Sequence, residues 1–116
     1  MEQSNIYQFL SDLERKVYSW LIKHEVPFST QQKMFGLSGE LGSATIDFVL
    51  TESNIVLRVM GSYWHSGIES KARDAFGKEQ LRNAGYIVVD LWEEDLTDER
   101  IDRTMELALE GMEVPH

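Results

Sequence analysis

Apolar residues near the start of the chain recur with the spacing of one helix face. The set comprises Leu10, Leu13, Val17, Trp20 and Leu21. Ser11 is followed three residues later by Glu14, a capping-box pattern that predicts the start of the first helix at Ser11. Pro27 lacks a backbone N–H and restricts its own backbone, so it marks the end of this unit.

Three segments after this helix have the composition of β-strands. Residues 28–35 are polar but contain no breaker, and they favour an edge strand before the glycine-rich loop 36–42. Residues 44–50 and 55–60 are rich in β-branched and apolar side chains, and four polar residues separate them. This pattern predicts a β-hairpin.

The rest of the chain alternates between helix and strand patterns. The predicted elements are a helix over 70–83 that ends at Gly85, a buried strand over 86–92, and a helix over 98–110 capped by Thr97 and stopped at Gly111. The last helix is expected to pack through Ile101, Met105, Ala108 and Met112. A strand, a crossover helix and a further strand imply a parallel pair. We therefore expect a single α/β domain over residues 1–116, of order αβββαβα, with a mixed four-stranded sheet flanked by helices.

The hairpin register determines which side chains share a face of the sheet. If Leu50 pairs with Ile55, the simplest register for a four-residue turn, Asp47 lies opposite Arg58. Side chains alternate along a strand, so Asp47 and Arg58 share one face and the Val59 side chain points to the other. Asp47 is then a charge among apolar strand neighbours. Two interpretations are open for it: a cross-strand ion pair with Arg58, or a metal-binding or catalytic role.

A second group of reactive side chains follows the hairpin. Gly61, Tyr63, Trp64 and His65 bring a flexible residue, two aromatic rings and an imidazole to the carboxyl end of a strand, where open α/β sheets usually build their sites. His65 could act as a base near neutral pH, or it could simply pack on Trp64. Glu14 is explained by its capping box, although its position in the apolar row of the helix also turns it toward the sheet.

Composition and charge narrow the functional classes. The 116 residues include no cysteine, which excludes disulfides, thiolate metal sites and thiol nucleophiles. The first residues do not resemble a signal peptide, and no apolar run approaches the ~18 residues of a membrane span, so we expect a cytoplasmic, intracellular protein without a membrane partner. The net charge of −9 argues against a nucleic-acid partner, but residues 93–116 carry −7 of that charge.

Three pieces of the sequence carry a family resemblance. They are Glu14 in the first helix, Ile46-Asp47-Phe48 in the second strand, and Val-Met-Gly-Ser-Tyr-Trp-His at 59–65, where the third strand ends. Together they resemble the PD-(D/E)XK nuclease superfamily, and more closely the very-short-patch mismatch repair endonucleases and their small relatives. The resemblance covers residues 11–96. It implies a restriction-endonuclease-like core.

This resemblance also implies an activity, that of a magnesium-dependent DNA endonuclease which nicks DNA or selects a DNA structure. Such enzymes serve repair, recombination or mobile elements. In the mismatch-repair relatives an aspartate and a strand carbonyl bind the metal, and the histidine of the Trp-His pair assists as a base. Carried over, Asp47 and the Val59 carbonyl become ligands for Mg²⁺ (or Mn²⁺), while Asp47, His65 and Glu14 become the catalytic residues.

The sequence departs from the superfamily pattern on the third strand. The carboxylate and the lysine that the superfamily usually has on this strand correspond to Arg58 and Met60. Neither of these side chains can replace a carboxylate or a lysine in catalysis. One account is that Asp47, the Val59 carbonyl and His65 suffice. The other is that the chain is a catalytically inactive nuclease-fold module that binds nucleic acid or a protein partner.

DNA is the expected partner. The candidate substrate contacts are Arg58, Tyr63 and Trp64, with Lys71 and Lys78 on the crossover helix. An ordinary solvated helix face is the alternative for the two lysines, and the i,i+4 pair of Asp74 and Lys78 supports it. The sequence leaves open a homodimer that presents two sites to a branched duplex.

Overall fold

The computed structural model describes residues 6–32, 46–61 and 68–115. Its elements are α1 (Asp12–Lys23), β1 (Phe28–Gln32), β2 (Ile46–Leu50), β3 (Ile55–Met60), α2 (Ile68–Asn83), β4 (Ile87–Trp92) and α3 (Ile101–Leu109), with a short 3₁₀ turn at Glu93–Asp95 after β4. The predicted α/β class, with a mixed four-stranded sheet and helices in the order αβββαβα, is confirmed. Among the described helices, none has the length and apolarity that crossing a membrane requires.

The sheet has the strand order β1-β2-β3-β4. β2 is antiparallel to both β1 and β3, whereas β4 is parallel to β3 and is reached through α2. Both predicted hairpin pairs are present, with Leu50 opposite Ile55 and Asp47 opposite Arg58. Asn54 closes the hairpin turn with a φ of 61°, a left-handed conformation that asparagine adopts more readily than most residues.

Two apolar clusters cover the two faces of the sheet. The larger cluster joins Phe48, Leu57 and Val89 to α1 and α3 through residues such as Leu21 and Met105. The smaller cluster joins three strand valines to Leu81 of α2; these valines are Val49, Val56 and Val88. The sheet therefore lies between α1 and α3 on one side and α2 on the other, as the alternation of side chains along β2 and β3 predicts.

The start of α1 follows the predicted capping box. The Ser11 hydroxyl accepts the Glu14 backbone N–H at 3.2 Å, and the Glu14 carboxylate accepts the Ser11 N–H at 2.8 Å. The two bonds satisfy N–H groups that a helix leaves unpaired at its first turn. Glu14 thereby becomes a buried residue, with 2% of its surface exposed.

The start of the last helix differs from the prediction. α3 begins at Ile101, not at residue 98, and its N-cap residue Arg100 contributes no side-chain bond. Thr97 takes part through its backbone: its carbonyl accepts the N–H groups of Arg100 at 3.0 Å and Ile101 at 2.8 Å. Threonine favours an N-cap, but here residues 98–100 first form a turn.

The predicted packing face of α3 is confirmed for its helical part. Met105 and Ala108 are fully buried, and Ile101 packs against the same cluster. Met112 was expected to extend this face, but it is 45% exposed. The helix ends before it, and Gly111 turns the chain with a φ of 79°, so helical spacing no longer applies at Met112.

Candidate functional site

A row of polar residues crosses the sheet on the face covered by α2. Gln31 of β1 lies opposite Asp47, Asp47 opposite Arg58, and Arg58 opposite Asp90 of β4. Residues directly opposite one another in a sheet project to the same face. We call these four residues the polar row. Its three charged members are buried, with exposed fractions of 1% for Asp47, 3% for Arg58 and 4% for Asp90.

Arg58 and Asp90 form a two-pronged ion pair at the centre of this row. The Arg58 Nε lies 2.7 Å from Asp90 Oδ1, and Nη2 lies 3.0 Å from Oδ2. Two parallel charge-assisted hydrogen bonds are the strongest arrangement available to an arginine and a carboxylate. Burial of two charges is tolerated here because each satisfies the other.

Two further charges extend the pair beyond the sheet. The Lys78 Nζ of α2 lies 3.3 Å from Asp90 Oδ2 and 3.0 Å from Glu113 Oε2. The same Glu113 oxygen accepts the backbone N–H of Asp90 at 3.0 Å. β4 is an edge strand, so this carboxylate satisfies an N–H that has no strand beside it. Glu113 thus ties the segment after α3 to both β4 and α2.

The charges in this network alternate in sign. Arg58 and Lys78, two of the residues predicted to contact substrate, are held by the carboxylates of Asp90 and Glu113. Their positive charges are therefore largely cancelled within the protein. Met60, at the second departure from the superfamily pattern, is fully buried.

Asp47 and Glu14, both predicted to be catalytic, belong to different faces of the sheet. Asp47 alternates with Ile46 and Phe48 of the larger cluster, so it projects toward the α2 side, whereas Glu14 lies on α1 at the other side. Glu14 Oε1 is occupied by the Ser11 N–H. Its other oxygen, Oε2, is buried and has no hydrogen-bond partner among the described residues.

The residues after β3 leave part of the candidate site untested. Tyr63, Trp64 and His65 lie outside the described residues, as does the side chain of Lys71. The sequence predicts that His65 approaches Asp47, because one follows the end of β3 and the other lies on the neighbouring strand, and this stays a prediction. The described segment that contains β3 ends at Gly61, where a Cβ would lie 3.7 Å from Leu13 Cδ1 and 3.9 Å from Glu93 Oε1. The start of α1 and the residues after β4 therefore meet at the carboxyl end of β3.

The predicted metal ligands can be compared with what Mg²⁺ requires. Mg²⁺ binds oxygen, often through one or two protein groups, and keeps water and substrate phosphate for its other positions. The Asp47 carboxylate and the Val59 carbonyl are oxygen donors of this kind, so the donor chemistry fits. Within residues 6–32, 46–61 and 68–115, no group of three or more acidic or histidine side chains is placed to hold an ion. Mg²⁺ remains an expectation from the sequence.

Sequence reasoning missed Asp90 as a member of the polar row. A signal for it exists, because Asp90 is a charge inside the apolar run Val88-Val89-Asp90-Leu91. Its partner Arg58 could be named only once the register between β3 and β4 was known. Glu113 has no such signal, since it lies in an irregular segment after α3.

Comparison of the chain with family models, with curated proteins and with solved structures found no match. We therefore infer the function from the chemistry of the chain's own residues. The resemblance to the PD-(D/E)XK nucleases adds an expectation about what that chemistry does.

Proposed function

We propose that the protein is a metal-dependent DNA endonuclease with a restriction-endonuclease-like core. The observation that supports this most is Asp47, a carboxylate with 1% of its surface exposed near the start of β2. Burial of a carboxylate is costly, and buried acids are often found at functional sites. Asp47 also lies beside β3, whose carboxyl end leads into the segment that contains His65.

In this proposal each residue has one task. Asp47 and the Val59 carbonyl hold Mg²⁺ or Mn²⁺, which when bound polarises the scissile phosphate and offsets its developing charge. His65 takes the proton from the attacking water. Tyr63 and Trp64 contact the DNA bases. The activity is nicking or structure-selective hydrolysis of a phosphodiester, of the kind used in repair, in recombination or by mobile elements.

A second candidate function is a catalytically inactive module that binds DNA or a protein partner. It is favoured by the third strand, where Arg58 is engaged with Asp90 in a buried ion pair and Met60 is fully buried. Neither can supply the carboxylate or the lysine that the superfamily usually has at these positions. The two candidates predict different outcomes for DNA cleavage.

The test is a cleavage assay with supercoiled, mismatched and four-way-junction DNA in Mg²⁺ or Mn²⁺. We expect wild-type protein to cut at least one substrate and Asp47→Asn to abolish cutting, because this change removes the charged ligand but keeps the side-chain shape. His65→Ala should lower the rate by ~10²–10⁴-fold, as for loss of a general base. Glu52→Gln, in the exposed hairpin turn, is the matched control and should cut normally.

Protein that leaves every substrate intact in both metals would favour the inactive module. Cutting that persists in Asp47→Asn would instead mean that the activity belongs to another residue or to a contaminant. Binding of DNA should survive both active-site changes, which separates recognition from catalysis.

A further inference from the structure

A groove lined by three cations and two carboxylates runs along α1, on the opposite side of the sheet from the polar row. Its volume is about 510 Å³, and its charged lining residues are Asp12, Arg15, Lys16, Lys23 and Asp98. We call it the α1 groove. Its cations outnumber its carboxylates, although the chain as a whole has a net charge of −9.

Neutral acceptors hold two of these cations in position. The Arg15 Nε donates to the Tyr7 carbonyl and its Nη2 to the Gln8 carbonyl, each at 3.1 Å. The guanidinium carbon also lies 5.0 Å from the centre of the Tyr7 ring. Lys16 Nζ donates to the Leu96 carbonyl at 3.1 Å. A carbonyl orients a cation without cancelling its charge, so these groups remain able to attract an anion.

No carboxylate among the described residues forms an ion pair with Arg15, Lys16 or Lys23. Arg58 of the polar row and Lys78 of α2 differ in this respect, because carboxylates engage both of them. Of these two groups of cations, the one on α1 is therefore available to an outside ligand.

We propose that the α1 groove binds the phosphate backbone of a DNA strand. Lys16 and Lys23 are seven residues apart, which places them on one side of the helix and ~10.5 Å apart along its axis. Phosphates of one strand rise ~3.4 Å per nucleotide along a duplex and also wind around it, so two lysines at this spacing can contact different phosphates of the same strand. Ser19 lies between them and offers a hydroxyl donor.

The groove also lies near the expected reaction site. Lys16 is bonded to Leu96, which follows β4, and Leu13 of the same helix turn lies beside Gly61 at the end of β3. β3 and β4 are parallel, so both contacts are at the carboxyl edge of the sheet. A DNA strand held in the groove would pass the edge where open α/β sheets usually bind ligands.

Two carboxylates, Asp12 and Asp98, also line the groove and oppose an anionic ligand. They make the proposal testable in both directions. Loss of a lysine should weaken DNA binding, and loss of Asp98 should strengthen it. Asp98 is exposed, so its replacement by asparagine leaves the core unchanged.

The experiment measures binding of the full chain to a fluorescein-labelled 20-base-pair duplex, and to one of its strands, by anisotropy in EDTA at several salt concentrations. We expect Lys16→Gln and Lys23→Gln each to weaken duplex binding about fivefold, as for loss of one exposed contact between unit charges. Each should also lower the slope of log affinity against log salt by about 0.9. Asp98→Asn should raise the affinity.

Arg82→Gln is the matched control, because it removes one exposed positive charge from α2 on the other side of the sheet. It should leave both affinity and salt slope unchanged. Lys23 has no hydrogen bond or ion pair to the described residues, so a defect in Lys23→Gln does not come from a lost hydrogen bond or ion pair among them. Unfolding curves for all variants establish that they are folded.

The proposal takes DNA as the ligand from the proposed function, but its test does not require cleavage. Suppose the lysine variants lose DNA binding and wild-type protein does not cut DNA. This result would support DNA binding by the α1 groove and overturn the proposed endonuclease activity. Normal DNA binding by both lysine variants would overturn the proposal that the α1 groove binds DNA, even if wild-type protein cuts DNA. An equal loss in Arg82→Gln, or no DNA binding by wild-type protein, would overturn it as well.

Discussion

The cations of the ion-pair network around Asp90 and those of the α1 groove differ in what holds them. Arg58 and Lys78 are paired with the carboxylates of Asp90 and Glu113, and Arg58 is almost fully buried. Arg15 and Lys16 are held by backbone carbonyls at the surface. A carboxylate cancels a positive charge, whereas a carbonyl orients it and leaves it available. The charges of Arg58 and Lys78 are therefore engaged within the protein, whereas those of Arg15 and Lys16 remain available to an anion.

The largest effect should follow removal of the carboxylate that pairs with Arg58. Asp90→Ala removes one partner of a buried ion pair and should lower the free energy of unfolding by ~3–5 kcal/mol. Guanidinium chloride unfolding measures this. The double change Arg58→Met with Asp90→Leu removes both charges of this pair and should recover part of the loss, whereas the Asp47 carboxylate opposite position 58 stays buried. A loss below about 1 kcal/mol for Asp90→Ala would show that the pair is not needed for stability.

A smaller effect should follow a change at the exposed end of the same network. Glu113→Gln keeps a carbonyl oxygen for the Asp90 N–H but removes the charge that faces Lys78. Since Glu113 is one-third exposed, solvent screens this pair, and we expect a loss of only ~0.5–1 kcal/mol. Amide hydrogen exchange at Asp90 should become faster. Glu106→Gln, on the exposed side of α3, is the control, and an equal loss there would contradict the specific role of Glu113.

Tyr18, a buried residue whose ring packs edge-to-face against that of Tyr7, predicts a pH effect. Burial, and to a lesser extent the neighbouring Tyr7, raises the pKa of the Tyr18 hydroxyl above its ordinary value of 10.0. The unfolded chain then loses this proton at a lower pH than the folded protein does. The stability that the protonated Tyr18 hydroxyl contributes to the folded protein is complete below pH 10. It is lost as the pH rises through the pKa that Tyr18 has in the folded protein.

Urea unfolding at a series of alkaline pH values checks this sign. Wild-type stability should decline as the pH rises above about 10, and part of that decline should be missing in Tyr18→Phe. Identical slopes for the two proteins would contradict the effect of Tyr18.

The smallest change in stability should come from the groove itself. Lys23→Gln removes a cation that is exposed and has no ion pair with the described residues, so the free energy of unfolding should change by less than about 0.5 kcal/mol. Chemical denaturation measures this in the same samples that are used for DNA binding. If Lys23→Gln lowered the free energy of unfolding as much as Glu113→Gln does, Lys23 would have a structural role like that of Lys78. The contrast between the two groups of cations would then be wrong.

Local patterns predicted the parts of the fold that depend on neighbours in sequence. The capping box of Ser11 and Glu14 and the pairing of Asp47 with Arg58 across the hairpin both lie within short segments, and both are present. Burial of Asp47 also follows from its apolar strand neighbours. The start of α3 was predicted too early, because threonine favours the N-cap position. In the structure a backbone turn forms after Thr97 instead, and the helix begins only after that turn.

The parts that could not be predicted depend on contacts between distant segments. Arg58 meets Asp90 only through the parallel register that α2 brings about, 32 residues along the chain. The charge of Lys78 is engaged by Glu113, which is 35 residues away in an irregular segment. Lys16 becomes part of a groove because the segment around Leu96 packs against α1, a contact 80 residues apart in sequence. None of these has a local signature.

One measurement tests most directly whether the cations of the α1 groove hold DNA and those of Arg58 and Lys78 do not. Duplex DNA is titrated into the ¹⁵N-labelled protein, and the backbone amide shifts are followed by NMR in EDTA. We expect the largest changes on residues 15–23 and 96–98, with little change around Arg58, Lys78 and Asp90. Changes concentrated at the exposed face of α2 and at Lys78, with α1 unaffected, would contradict it.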